Sequence, residues 1–559
     1  MGKYKKDFIV LSIIIVINCF LTYFLEREPN WDFYSYHFFN GWAFFNDRLN
    51  IDFMPCSIRS YFNPLMDAVM YFLIDRLNNH PLLFIMISGL KYSILMFVSF
   101  KLYEFFFEKF DKFNKNLSII FCLLFAGSSP IILFGLNFDN TDIPYAILIL
   151  VALYIYMDNI FKNSSKQRYC YIFFSSLLIG VAIALKYVCV VYSIAIILTT
   201  LCLIKKIQKP FKTIGVSILG QIDGFLIAGG WWFATIWNKF GNPLFPYFNN
   251  IFKSPFSDAD LILNEDFDYA TAKSVLGYIF SPIRDIIFGL PPDTSQPEFD
   301  LKLPLTFILI ILMVIILFNK KTRKETNKVI NINYLYFLII FIAISYYANS
   351  YLFAVTRYIM ILFILAPIVL CVFATICLKK EFYIYPLIIV FCFYCFSYEC
   401  QSDIGLTPYK KSISKVVTPV DYHFEDGSTV ICSMMAACYP APFQNPNVKY
   451  VGFTLPKHLS ELTFWAKVDR GMLYTNKYLE QQVKKILAED NNIYFIYVED
   501  SLGIDGEDLV LYQKALSMYS DEKLSIDNCD QVSYIVMGHE TFTYQVCKIK
   551  TKSDNQAPQ

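Results

Sequence analysis

Charge is what this sequence has least of. Asp, Glu, Lys and Arg make up 17% of its 559 residues, against roughly 25% in soluble domains. A mean hydropathy of +0.44 and 56% hydrophobic content require more apolar runs than a soluble core could hide. Neither sign is in excess: 48 basic and 47 acidic residues leave +1, and a nucleic-acid binder needs a basic face that such a balance does not supply. With 5 His in the whole chain, a His-rich metal site is disfavoured. No GxGxxG, P-loop, GxSxG or HExxH occurs in a suitable setting, and no internal repeat or low-complexity tract is visible. The apolar content excludes disorder. What is abundant is aromatic: 6 Trp, 40 Tyr and 55 Phe.

A bilayer core needs about 20 helical residues per crossing. Apolar windows of that size fall near 8–25, 81–100, 117–136, 144–160, 169–185, 187–204, 214–236, 304–318, 332–348, 357–378 and 382–398, predicting about eleven transmembrane helices. The first window follows Lys3, Lys5 and Lys6 but has no small-residue cleavage site before Glu26, so it reads as a retained span. With the N-terminus inside, Lys109, Lys112 and Lys115, then Lys162, Lys166 and Arg168, then Lys205, Lys206, Lys209 and Lys212 all face the cytoplasm. So do Lys320, Lys321, Arg323, Lys324, Lys328, Lys379 and Lys380, which satisfies the positive-inside rule at each connection. The reading is a multi-pass inner-membrane protein with its C-terminus outside the cytoplasm. Residues 1–399 form the membrane part, with outer loops at 26–80 and 237–303.

Residues 400–559 have soluble composition. Strand-like runs at Ser428–Cys432, Val448–Phe453, Ile493–Val498 and Tyr534–Met537, with helical patterns near 476–489 and 507–519, predict an extracytoplasmic α/β domain. Most of the 15 Cys lie in apolar windows, where a thiol acts as a small hydrophobe. Cys392 and Cys395 form a CxxC inside a span, a poor setting for zinc or redox chemistry. Cys432, Cys438, Cys529 and Cys547 lie where oxidation is permitted and leave room for one or two disulfides; pairing of Cys529 with Cys547 and free thiols are equally open, since spacing alone does not fix pairing.

Four groups of residues bear on chemistry, because ionisable groups near membrane depth are costly. The first is Asn30-Trp31-Asp32-Phe33-Tyr34-Ser35-Tyr36-His37, continuing through Trp42 and Arg48 to Asn63-Pro64. Asp32 sits just past the first span, where a carboxylate against an apolar wall can accept a hydroxyl proton; a solvated loop or a helix cap is the bland alternative. The second is Asn137-Phe138-Asp139-Asn140-Thr141-Asp142-Ile143-Pro144, two acids in a short loop that could position an acceptor or a cation, or simply begin a helix. The third comprises Lys186 and Arg357, followed by Tyr358, cations placed against the charge rule and suited to phosphate, or else snorkelling to headgroups. Lys91 and Asp223 lie deeper in their spans. The fourth is Trp231-Trp232 and the turn Gly241-Asn242-Pro243-Leu244-Phe245-Pro246, an aromatic interfacial loop or a structural turn. The pairs Asp258/Asp260 and Asp266/Asp268 match a DxD pattern, but no nucleotide-binding α/β unit accompanies them.

Trp31-Asp32-Phe33-Tyr34, Asn140-Thr141-Asp142-Ile143-Pro144, Gly241-Asn242-Pro243-Leu244-Phe245-Pro246 and Arg357-Tyr358, in that order and topology, resemble the GT-C superfamily of multi-span glycosyltransferases that use polyprenyl-phosphate sugars. The resemblance spans roughly residues 1–400. It implies that Asp32 matches the catalytic carboxylate of the first loop, that Asp142 is similar to the second-loop acid, and that Arg357 and Lys186 contact the lipid-linked phosphate. Tyr358, Asp139, His37, Asn63 and Asn242 stand with them as substrate-binding candidates. Asp32-Phe33 stands where several family members have two consecutive acids, which leaves open both metal dependence, a divalent metal being compatible with the sequence but not required by it, and the use of Asp32 as sole base. The implied reaction is an inverting transfer to an acceptor hydroxyl of a glycan, lipid or protein on the outer face, with membrane lipids as surroundings and no nucleic acid. A polymerase or ligase using a lipid-diphosphate oligosaccharide, or a transporter, are the alternatives; a transporter would be expected to show inverted repeats and broken spans.

Overall fold

The computed structural model describes residues 2–24, 29–258, 302–353, 355–377, 413–418, 422–433, 437–453, 455–456, 476–490, 492–499, 508–520, 525–540 and 543–550, with isolated positions elsewhere. Most of the window at 382–398, Cys392, Cys395, Lys379, Lys380, Asp260, Asp266, Asp268, most of residues 259–301 and the start of the tail lie outside the described residues. The helices are α1 (Gly2–Phe24), α2 (Phe38–Phe45), α3 (Leu65–Leu77), α4 (Pro81–Phe106), α5 (Lys112–Gly127), α6 (Pro130–Leu133), α7 (Asp142–Ile160), α8 (Lys166–Leu185), α9 (Val190–Cys202), α10 (Pro210–Phe240) and α11 (Asn249–Phe252). They continue as α12 (Lys302–Leu317), α13 (Lys320–Val329), α14 (Ile332–Leu352), α15 (Met360–Cys377), α16 (Lys477–Glu489) and α17 (Asp508–Ser517).

Among the described residues seven helices are long and apolar enough to cross a membrane, or eight if α12 and α13, bent by 117° at their junction, count as one. The expected eleven are therefore not all seen. The window at 117–136 falls on the 16-residue α5 followed by the short α6, and the window at 187–204 falls on a shorter apolar helix, Tyr187–Cys202.

Contacts divide the chain into two units: residues 1–27, 85–230 and 269–409, and residues 28–84, 231–268 and 410–559. In the first, the span ending in α15 is the centre, with 83% of its apolar window buried, whereas α1 is 11% buried and shows its Phe8, Val16 and Phe20 to the surroundings. That contrast fits a lipid-facing helix. Helix α8 packs on α7 through Ser175 Oγ, which donates to the Ala152 carbonyl at 2.7 Å. It meets α10 so closely that a Cβ on Gly180 would lie 2.0 Å from the Gln221 carbonyl oxygen, and one on Gly224 equally close to that of Leu177. Small residues permit this approach, as at other membrane helix crossings.

The second unit gathers the segment after the first span, residues 231–268 and the tail. Its sheet has the order β3-β2-β4-β8-β5, with β2 (Thr429–Ser433) parallel to β3 (Lys449–Phe453) and to β4 (Ile493–Val498), while β8 (Tyr544–Lys550) runs antiparallel to β4 and β5 (Ser525–Val532). A smaller sheet joins β1 (Val417–Thr418), β6 (Ile535–Val536) and β7 (His539–Glu540). The predicted strands and both predicted tail helices are present. Helix α16 starts where the Asn476 side chain accepts from the amides of Tyr478 and Leu479, and buries Leu479, Val483, Ile486 and Leu487, one stripe of the helical period. Phe53 bridges to Val451 at the edge of β3, where Gly452 is needed because a Cβ there would lie 2.0 Å from the Met54 carbonyl oxygen. Cys529 pairs with Cys547 across β5 and β8, one of the two alternatives left open by the sequence, and Cys432 pairs with Cys438.

Candidate functional site

In the first unit the segment between α6 and α7 is buried: Asn137, Asp139, Asn140, Thr141 and Asp142 are each less than 9% exposed. Helix α7 starts at Asp142, and Asn140 caps it, its Oδ1 accepting from the amides of Asp142 at 2.9 Å and Ile143 at 3.2 Å. The bland reading of this segment as a helix start is thus part of the answer. The rest is electrostatic. Lys91, on α4, donates from Nζ to the carbonyls of Asn137 (2.7 Å), Phe138 (3.0 Å) and Asn140 (2.7 Å), so three backbone acceptors of one turn share a single ammonium. This answers which element the intramembrane Lys91 serves, a partner that spacing could not reveal.

Lys186, the residue that ends α8, pairs its Nζ with Asp142 Oδ1. The ammonium also lies 5.4 Å from the Tyr145 ring and 5.2 Å from the Tyr358 ring, a cation–π setting. The chain around Tyr358 is fixed in turn: Tyr192 OH donates to the Tyr358 carbonyl at 2.6 Å. Arg357 holds its guanidinium 5.6 Å from the Tyr358 ring, and its charge acts on Lys186. Asp139, Asp142, Lys186, Arg357 and Tyr358 therefore belong to one unit, and Lys186 touches both Asp142 and Tyr358. Tyr145 and Tyr192 carried no signal in the sequence, being two tyrosines among many in apolar helices.

Asp32, His37, Asn63 and Asn242 belong to the second unit. Asp32 is half-buried immediately before a π-helical stretch, Phe33–His37, that leads into α2; such stretches recur at functional sites. His37 Nδ1 lies 2.6 Å from Asp67 Oδ1, both side chains buried, and Asn40 Nδ2 donates to the other Asp67 oxygen at 3.3 Å. Asn63 Oδ1 accepts from the Leu65 amide at 3.1 Å and starts α3. Asn242 is fully buried, donates to the Tyr247 carbonyl at 2.9 Å and accepts from the Leu244 amide at 2.9 Å, which closes the Gly241–Tyr247 turn. Gly241 sits at φ +68, where glycine carries no Cβ penalty.

Arg48 and Asp52 form a buried ion pair, with Arg48 also donating to the carbonyls of Pro446 and Val448, and Asp52 Oδ1 accepting from the Tyr450 amide at 2.9 Å. Burial pushes the Asp52 carboxyl above its ordinary value against the pull of Arg48. Among the described residues no three His, Cys, Asp or Glu side chains are grouped to hold a metal ion.

No protein-family description and no curated protein matches this chain. Among solved structures, it is similar to the crystal structure of ArnT from Cupriavidus metallidurans bound to undecaprenyl phosphate, with 11% identity and a TM-score of 0.39 over 96% of this chain and 97% of that one.

Proposed function

We propose that this chain is an integral-membrane glycosyltransferase that moves a sugar from a polyprenyl-phosphate donor to an acceptor hydroxyl at the outer face, inverting the anomeric carbon. Residues 1–399 are its membrane part and 400–559 its extracytoplasmic domain. The observation that supports this most is the Asp142–Lys186–Tyr358–Arg357 cluster, which places an ion pair and a second cation at the ends of apolar helices. Ionisable groups in such a place are functional by default. Arg357 offers a planar fork of N–H donors to phosphate and Lys186 a point charge held in position by Asp142. As the sugar–phosphate bond breaks, negative charge grows on the departing phosphate, and pre-placed cations stabilise it without reorganising.

Asp32 is the proposed base that takes the acceptor proton. Its place just after the first span and its half-burial before a π-helical stretch support that role. Lys91 fixes the loop that carries Asp139 and presents Asp142. His37, bonded to Asp67, and Asn63 and Asn242, each bonded to the chain just after it, shape the segments around Asp32 and the Gly241 turn.

Transfer from a panel of polyprenyl-phosphate sugars, followed in membranes with product analysis, tests the reading. Asp32→Asn should reduce transfer on the order of 10²- to 10⁴-fold, the usual contribution of a general base. Full transfer by Asp32→Asn removes that residue from its role, and no transfer by the wild-type chain from any such donor overturns the reading as a whole.

A further inference from the structure

A groove of about 560 Å³ opens along α8 and the first turn of α10, at the opposite end of α8 from Lys186. Its size falls within the roughly 300–1,000 Å³ of small-molecule sites. Lys166, Ser165 and Tyr169 line it with Lys212 of α10, and Phe173 and Phe174 extend it along α8. Positions 166, 169–170 and 173 recur on one helix face. The phenylalanines lie about 11 Å along the axis from Lys166, taking 1.5 Å per residue. The groove is thus cationic at one end and aromatic at the other, and Phe174 is 59% exposed in a helix apolar enough to span a bilayer.

The cationic end is built rather than incidental. Ser164 shares a 2.9 Å hydrogen bond with the Tyr169 hydroxyl, and its amide donates to Gln208 Oε1 at 3.0 Å. Buried Arg168 donates to the carbonyls of Asn159, Ile160 and Gln208 and to Thr213 Oγ1, which locks the α7–α8 connection to the start of α10. Lys212 Nζ stands 4.5 Å from the Tyr169 ring. The nearby acid Asp158 is occupied by Lys162 at 2.7 Å, and among the described residues neither Lys166 nor Lys212 pairs with a carboxylate. Two ammonium groups above an apolar trough, at the basic end of a span, complement a phosphate that carries a hydrocarbon chain.

We propose that this groove binds an anionic phospholipid of the inner leaflet, its phosphate between Lys166 and Lys212 and an acyl chain along Phe173 and Phe174. Native mass spectrometry of the full-length protein in detergent, titrated with phosphatidylglycerol or phosphatidylcholine, should show phosphatidylglycerol held about tenfold more tightly, a difference of about 1.4 kcal/mol. Lys166→Gln/Lys212→Gln should lose that preference, while Lys162→Gln/Lys205→Gln keeps it. Cys170, which is exposed and lines the groove, should be alkylated more slowly in phosphatidylglycerol than in phosphatidylcholine, with exposed Cys202 unchanged as the internal reference. A preference that survives in the Lys166/Lys212 variant, or is lost equally in the Lys162/Lys205 variant, overturns the proposal. So does displacement of the lipid by inorganic phosphate, which would assign the cationic end to a free anion. Should the first variant not fold, Cys170 decides on the wild-type protein: equal alkylation in both lipids overturns the proposal.

Discussion

Lys186 and Asp142, 44 residues apart in the chain, form an ion pair that joins the end of α8 to the first residue of α7. The carboxylate also sits at the N-terminal end of α7, where the helix dipole favours negative charge. The pair explains how two ionisable groups persist beside apolar helices: each offsets the desolvation of the other.

Breaking that pair from one side leaves a largely desolvated charge. Lys186→Gln or Asp142→Asn should each lower stability by about 3 kcal/mol, and the double variant should recover much of the loss because neither charge is then stranded. Thermal unfolding of the four proteins in detergent gives the coupling; strictly additive losses would mean that the two side chains do not interact.

In the proposed reaction Arg357 contacts the donor phosphate. Arg357→Ala should reduce kcat/KM for the polyprenyl-phosphate sugar on the order of 10²-fold, as loss of one transition-state donor does elsewhere, while the KM for acceptor changes little. Arg357→Lys should recover only part, since an ammonium cannot engage two phosphate oxygens through a planar fork. Steady-state kinetics with each substrate varied in turn distinguishes this from a general loss of fold.

Arg48 and Asp52 hold the segment after the first span to the strand β3 region of the tail. Asp52→Ala would strand the buried guanidinium, a change that costs about 3–5 kcal/mol. Hydrogen exchange should then accelerate at residues 446–452, with little effect in the helices of the first unit; unchanged protection there would show that the pair is not structural.

Glu425 is exposed at its carboxylate yet held down to about 2 by hydrogen bonds from Lys548, Asn492 and Tyr494. A carboxyl lowered on folding stabilises the native state above its ordinary value near 4.5, and that stabilisation is lost as pH falls from there through about 2. The melting temperatures of wild type and Glu425→Gln should therefore differ at pH 6 and converge by pH 2. Because the group is solvent-screened, the difference should be small; curves that stay parallel throughout would refute the assignment.

The chain's own order of residues determined what depends on short stretches. Apolar length located most of the helices of the membrane part, short apolar runs rich in β-branched and aromatic residues located Ile493–Val498 and its neighbours, and the helical period located α16, because transfer of side chains from water acts through spacing along one element. It also singled out Asp142, Lys186 and Arg357, since charge in an apolar context stands out without knowledge of any partner. Tertiary structure alone decided the partners. That Lys186 meets Asp142, that Lys91 serves three carbonyls of the 137–140 turn and that His37 meets Asp67 are relations over 30 residues or more. A hydrogen bond needs its atoms within about 3 Å, and attraction between charges weakens as 1/r and is screened over about 10 Å in salt, so both become strong only once helix packing has brought such distant residues together. Close helix crossings such as the one at Gly180 and Gly224 supply that packing in the membrane part.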